Sequence, residues 1–115
     1  MSVPSPIRFD LLGGTDYQPL LIGRPQSRGM RSGCVSLKPG GECGAHTTGA
    51  HEEVLVILEG AGTALITDGE ALEVGAGQVL YIPPHTGHDM VGGETGLRYV
   101  YVVAPISEPE SGCGT

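Results

Sequence analysis

Apolar residues in this chain come in short runs that alternate with polar ones and are broken by Gly, Pro or Asp-Gly, the pattern of half-buried strands and not of helices. QPLLIG (residues 18–23) predicts a first strand, and RPQSRG (24–29) a loop. From Met30 the pattern becomes regular. MRSGCVSL (30–37), EEVLVILEG (52–60), GTALITD (62–68), EALEVG (70–75), QVLYIP (78–83), HDMVG (88–92) and LRYVYVVAP (97–105) all predict strands. Asp68-Gly69, between TALIT and EALEV, predicts a hairpin with a tight type I′ turn, which needs positive φ at both central positions. No segment has useful amphipathic helical spacing, so the chain reads as all-β, a sandwich or barrel.

Length and composition narrow this to one domain. At 115 residues the chain is long enough for one real core, and its 20 glycines and 9 prolines work against helix interiors. Residues 1–29 read as a lead-in with one added strand, 30–106 as the β domain, and 107–115 as a disordered tail. The formal charge of −7, with six scattered Lys and Arg, argues against nucleic acid and anionic lipid surfaces as partners. No apolar run approaches the ~20 residues that cross a bilayer, and the start lacks an apolar leader. The expected location is cytoplasmic. Cys34, Cys43 and Cys113 form an odd set without C-x-x-C spacing, so free thiols are expected, Cys43 as a small filler.

The chemistry concentrates in two places. PGGECGAHTTGAHEEVLVILEG, residues 39–60, carries His46, His51 and Glu53, and His85 and His88 follow the strand over 78–83. Alternation puts His51, Glu53, Leu55 and Ile57 on one strand face and His88 with Met90 on another. Two or three imidazoles with one carboxylate suit Fe(II), Mn(II), Ni(II), Cu(II) or Zn(II) and leave positions open for water, oxygen or substrate. Tyr81, Tyr99, Tyr101 and Arg31 are candidates to line the pocket, although the strand pattern does not say which face is inside. Glu52, out of phase with Glu53, is expected to face water.

These residues resemble the cupin superfamily, whose motifs are G-x5-H-x-H-x3-4-E-x6-G and G-x5-P-x-G-x2-H-x3-N. Gly40, His46, Glu53 and Gly60 fall on the first, and Gly77, Pro83 and His88 on the second. The resemblance implies a double-stranded β-helix, a jelly-roll barrel, together with a divalent metal, a small-molecule substrate and a homodimer. It implies dioxygenase, isomerase, epimerase or lyase activity, the alternative being a non-catalytic module that binds or senses a sugar or other metabolite. Three positions depart from the pattern: Thr48 for the second histidine of the first motif, His85 for a glycine and Gly92 for an asparagine. A hydroxyl is a poor ligand, so Thr48→Ala is expected to cost little metal affinity. His51 is expected to stand in, giving the set His46, His51, Glu53 and His88. His85 is expected to be structural or at the pocket mouth.

Overall fold

The computed structural model describes residues 4–107 and contains strands but no helix among them. There are seven: β1 (Tyr17–Ile22), β2 (Arg31–Leu37), β3 (His46–Thr47), β4 (His51–Ile66), β5 (Ala71–Gly75), β6 (Val79–Ile82) and β7 (Gly87–Pro105). The expected tail lies outside the described residues except for Ser107. Two pairs of predicted strands are each one continuous element. Residues 52–60 and 62–66 belong to β4, with Thr67 and Asp68 of the second predicted strand in the turn that follows, and residues 88–92 and 97–105 belong to β7. The glycines read as breaks are bends within them.

β4 and β7 run antiparallel along their whole lengths, from His51 opposite Pro105 to Ile66 opposite His88. Register shifts fall between Ile57 and Glu59 and between Gly60 and Gly62. Their effect shows in the burial. Before the shifts Glu53, Leu55 and Ile57 are buried, and after them Gly62 and Ala64 are, so the inward phase moves from odd to even residues. Gly60 has φ +78°, and a Cβ there would run into the Gly96 carbonyl oxygen of β7. The two backbones therefore cross the bend at a distance that only glycine permits.

One end of this ribbon carries β1 and β2 beside β7 and β6 beside β4; the other carries β3 beside β7 and β5 beside β4. The ends fold toward each other, because the core joins Val35, Leu55, Ile57, Ile82 and Tyr99 from the first with Ala64, Val74 and Met90 from the second. Leu55 is 1% exposed, so Leu55→Ala would cost about 2–5 kcal/mol in lost transfer energy and cavity.

The β4–β5 hairpin forms as expected, with a different turn. Gly69 N–H donates to the Ile66 carbonyl, which centres the turn on Thr67 and Asp68, and only Asp68 takes positive φ, at 58°. The last paired residues are Leu65 and Ala71, so the connection is too long to need type I′ geometry, and Asp tolerates the left-handed region.

Candidate metal centre

β3 is only two residues long, and nothing in the stretch GAHTTGA signals a strand. It pairs with the start of β7, setting His46 opposite His88 and Thr47 opposite Gly87. The imidazole rings meet edge to face, with centroids 4.3 Å apart. Glu53, third in β4 and on its inward face, reaches the same point. One ligand-capable atom each from His46, Glu53 and His88 lies within 4.8 Å of the others. Glu53 and His88 are buried, and His46 is open to the cavity.

The donor chemistry fits a divalent ion. Nδ1 of His46 lies 2.8 Å from the Gly44 carbonyl oxygen, and Nδ1 of His88 lies 3.1 Å from that of Thr86. A carbonyl only accepts, so each Nδ1 carries hydrogen and each neutral ring keeps its lone pair on Nε2. Nε2 of His88 is 3.1 Å from Oε1 of Glu53. Two atoms bound about 2.0–2.2 Å from one ion at ordinary coordination angles stand roughly 2.8–3.6 Å apart, so this spacing suits shared ligation. In the metal-free protein the Glu53 carboxylate, ahead of every other cause, raises the His88 pKa; burial pulls the other way. A proton on Nε2 and a metal ion would therefore compete for the position between these atoms.

His51 keeps the predicted face but stands outside this cluster. It is the first residue of β4, opposite Pro105, and one pleat repeat of about 6.6–6.8 Å separates it from Glu53 along the strand. It lines the same cavity, which holds about 870 Å³ bounded also by Arg31, Val35, Leu55, Met90, Tyr99 and Tyr101. Cys43 lines that cavity too, outside the cluster; Cys34 and Cys43 are free thiols, while Cys113 lies outside the described residues. Tyr81 belongs to the outer face, where its hydroxyl donates to the exposed Glu52 carboxylate at 2.8 Å. His85 is exposed, in the turn after β6, with φ 55° and its N–H donating to the Gly49 carbonyl. The motif places glycine there because the backbone is left-handed, a region histidine enters more readily than most residues.

The phenols on the inner wall are held neutral. Burial, followed by the neighbouring Cys43 side chain, pushes Tyr99 well above the ordinary tyrosine range. Burial also raises Tyr101, followed by its contact with Tyr17, whose hydroxyl is 2.7 Å away, while Arg31 opposes the shift.

Two residues at the site have roles that sequence reasoning missed. Thr48, 7% exposed, donates to the Pro83 carbonyl at 2.7 Å and accepts from Thr86 N–H at 3.0 Å, so it is built into the turn that leads to His88. Asp89, also 7% exposed, accepts from Gly44 N–H at 2.8 Å. An acid inside the predicted strand HDMVG was the available signal for the second, since an acidic side chain is seldom buried without a partner.

A curled ribbon of paired strands enclosing a cavity, with two imidazoles and a carboxylate converging on its inner wall, defines a double-stranded β-helix protein with a metal-capable site. The Cupin domain family matches residues 33–103, and the chain belongs to that family. It is 36% identical over 105 residues to dimethylsulfoniopropionate lyase DddW of Ruegeria pomeroyi, covering 84% of this chain and 68% of that protein. Among solved structures, a cupin protein from Bacteroides fragilis superposes with a TM-score of 0.72 at 20% identity, covering 91% of this chain and 88% of that one. The Cnp3 cupin domain of Schizosaccharomyces pombe gives 0.69 at 16% identity, over 78% of this chain; the chain spans 64% of the length of that domain. Both structures share the fold.

Proposed function

We propose that this protein is a metal-dependent lyase acting on a small carboxylate-bearing molecule. The observation that carries the reading is the His46–Glu53–His88 cluster at the wall of an 870 Å³ cavity, with both Nδ1 atoms engaged and both Nε2 atoms left for an ion. Among the activities that the cupin resemblance implies, the 36% identical lyase favours elimination. The ion, once bound, supplies Lewis-acid polarisation of a substrate oxygen. Arg31, on the inward face of β2, pairs with the substrate carboxylate. His51 takes the proton from the carbon beside that carboxylate. The electrons of the broken C–H bond form a C=C bond as the leaving group departs with the electrons of its own bond to carbon. Tyr99 and Tyr101, neutral through burial, keep their protons and present hydroxyl donors to the bound substrate.

The test loads separate samples with Fe(II), Mn(II), Ni(II), Cu(II) or Zn(II), measures stoichiometry, and assays dimethylsulfoniopropionate for dimethyl sulfide release. Near-equimolar metal and turnover are expected in the wild type, and neither in His88→Ala. Metal without turnover on this substrate or on related 3-substituted propionates would end the lyase reading. The second reading is then a binding or sensing module, favoured by the missing histidine at Thr48. We also propose a homodimer, because Val54, Val56, Val79 and Tyr81 form a paired apolar strip on the outer face, Val79 being 66% exposed.

A further inference from the structure

We infer that Thr48 and Asp89 form a reciprocal clamp that aims the two imidazoles, each residue orienting the histidine of the opposite strand. This rests on the reading of His46, Glu53 and His88 as a metal centre. Each ring is aimed by the carbonyl two residues upstream, Gly44 for His46 and Thr86 for His88. Both of those residues lie outside the strands, so side-chain hydrogen bonds supplement what the backbone alone gives them.

The hydrogen bonds cross. Asp89, the chain neighbour of His88, accepts from Gly44 N–H at 2.8 Å and so holds the segment that aims His46. Thr48, two residues after His46, accepts from Thr86 N–H at 3.0 Å and so holds the segment that aims His88. Thr48 binds Thr86 twice, because its own N–H donates to the Thr86 carbonyl at 3.1 Å, the same oxygen that receives Nδ1–H of His88. The Thr48 hydroxyl hydrogen goes to the Pro83 carbonyl at 2.7 Å, which ties the start of the turn as well.

Burial gives these bonds their force. Both side chains are 7% exposed, so neither exchanges its bond freely for one to water. A metal site tolerates about 0.5 Å or 10–20° of error in its ligands, and a histidine whose guiding carbonyl drifts exceeds that tolerance. Thr48 stands where the family pattern has a histidine. It is a poor ligand, yet its hydroxyl holds the N–H of Thr86, the residue whose carbonyl orients a good one. Thr48 and Asp89 are positioning residues.

The test titrates Co(II) alone into wild type, Thr48→Val, Thr48→Ser, Asp89→Ala and Asp89→Asn, each confirmed as folded by circular dichroism, and records imidazole 15N spectra of the metal-free proteins. Thr48→Val and Asp89→Ala should weaken Co(II) binding by about 10- to 100-fold with a changed d–d spectrum, while Thr48→Ser and Asp89→Asn, which keep an accepting oxygen, stay near wild type. In the spectra, Asp89→Ala should move the Nδ1 signal of His46 and spare His88, and Thr48→Val should do the reverse. Unchanged affinity in both deletions would overturn the clamp and leave the metal centre standing. Equal movement of both histidine signals in either variant would also overturn it, since a merely structural role predicts general loosening. If wild type binds no Co(II), the metal centre fails, and the crossed pattern in the spectra alone decides whether the clamp exists. If Asp89→Ala does not fold, the Thr48 pair of variants decides.

Discussion

At the scale of single residues, position along a strand and position in space separate the histidines. His46 and His88 face each other across β3 and β7 with Glu53 beside them, whereas His51 sits one pleat repeat away on the cavity wall. After mild chelation, His46→Ala and His88→Ala are expected to retain little metal and His51→Ala to retain near-wild-type metal while losing turnover. Loss of metal from folded His51→Ala would make His51 the fourth ligand. His85 gives a prediction of the opposite kind. Its φ of 55° suits glycine, so His85→Gly should keep metal and shift stability by less than about 1 kcal/mol, read as melting temperature. A large loss would mean that the side chain, not the backbone, is what the position needs.

At the scale of elements, the bend in the β4–β7 ribbon brings Glu53 and His88 to one inner wall. Gly60 permits it: a side chain there meets the Gly96 carbonyl and has to accept φ +78°. Gly60→Ala is therefore expected to destabilise by more than about 1 kcal/mol, lowering the melting temperature by at least ~4 °C for a domain of this size. A near-wild-type melting curve would show that the strands part at the bend without cost. Metal affinity should fall with it, because straightening β4 moves Glu53 relative to β3.

At the scale of the whole molecule, protons and metal compete for one site. The Glu53 carboxylate raises the His88 pKa in the metal-free protein. That contribution to stability is fully present below the unfolded histidine value of about 6.5 and is lost as pH rises through the higher folded value. Metal binding runs the other way, since the ion needs the deprotonated ring. Melting curves with and without metal between pH 5 and 8 should show a metal-induced gain that grows with pH, the metal-free protein meanwhile losing the His88 contribution. A gain independent of pH would remove His88 from the centre. Light scattering at micromolar concentration is expected to report a dimer, and Val79→Lys, at the most exposed point of the outer apolar strip, to weaken it without altering metal content. A wild-type monomer throughout that range would leave the strip without a partner.

Alternation along the strands and the turn residues between them were enough to specify an all-β fold, and the resemblance carried by the motif spacing pointed to a cupin barrel and to all three residues of the cluster, His46, Glu53 and His88. Those properties are local, or are carried by gaps that the fold holds constant. The continuity of β4 and β7 was not legible, because a glycine that ends a strand and one that bends it look alike until the partner backbone is in place. Strand β3 was invisible for a related reason: two residues have no pattern, and they are extended only because the start of β7 lies beside them. Tyr81 and Tyr99 show the same limit. Period-two alternation puts them on some face, but the pairing of Val54 with Tyr81 and of Ile57 with Tyr99 is what sends one outward and the other into the cavity. Thr48 and Asp89 were the furthest from view. Their partners are backbone groups 38 and 45 residues distant, and a backbone N–H leaves no mark on the sequence that reveals which side chain will hold it.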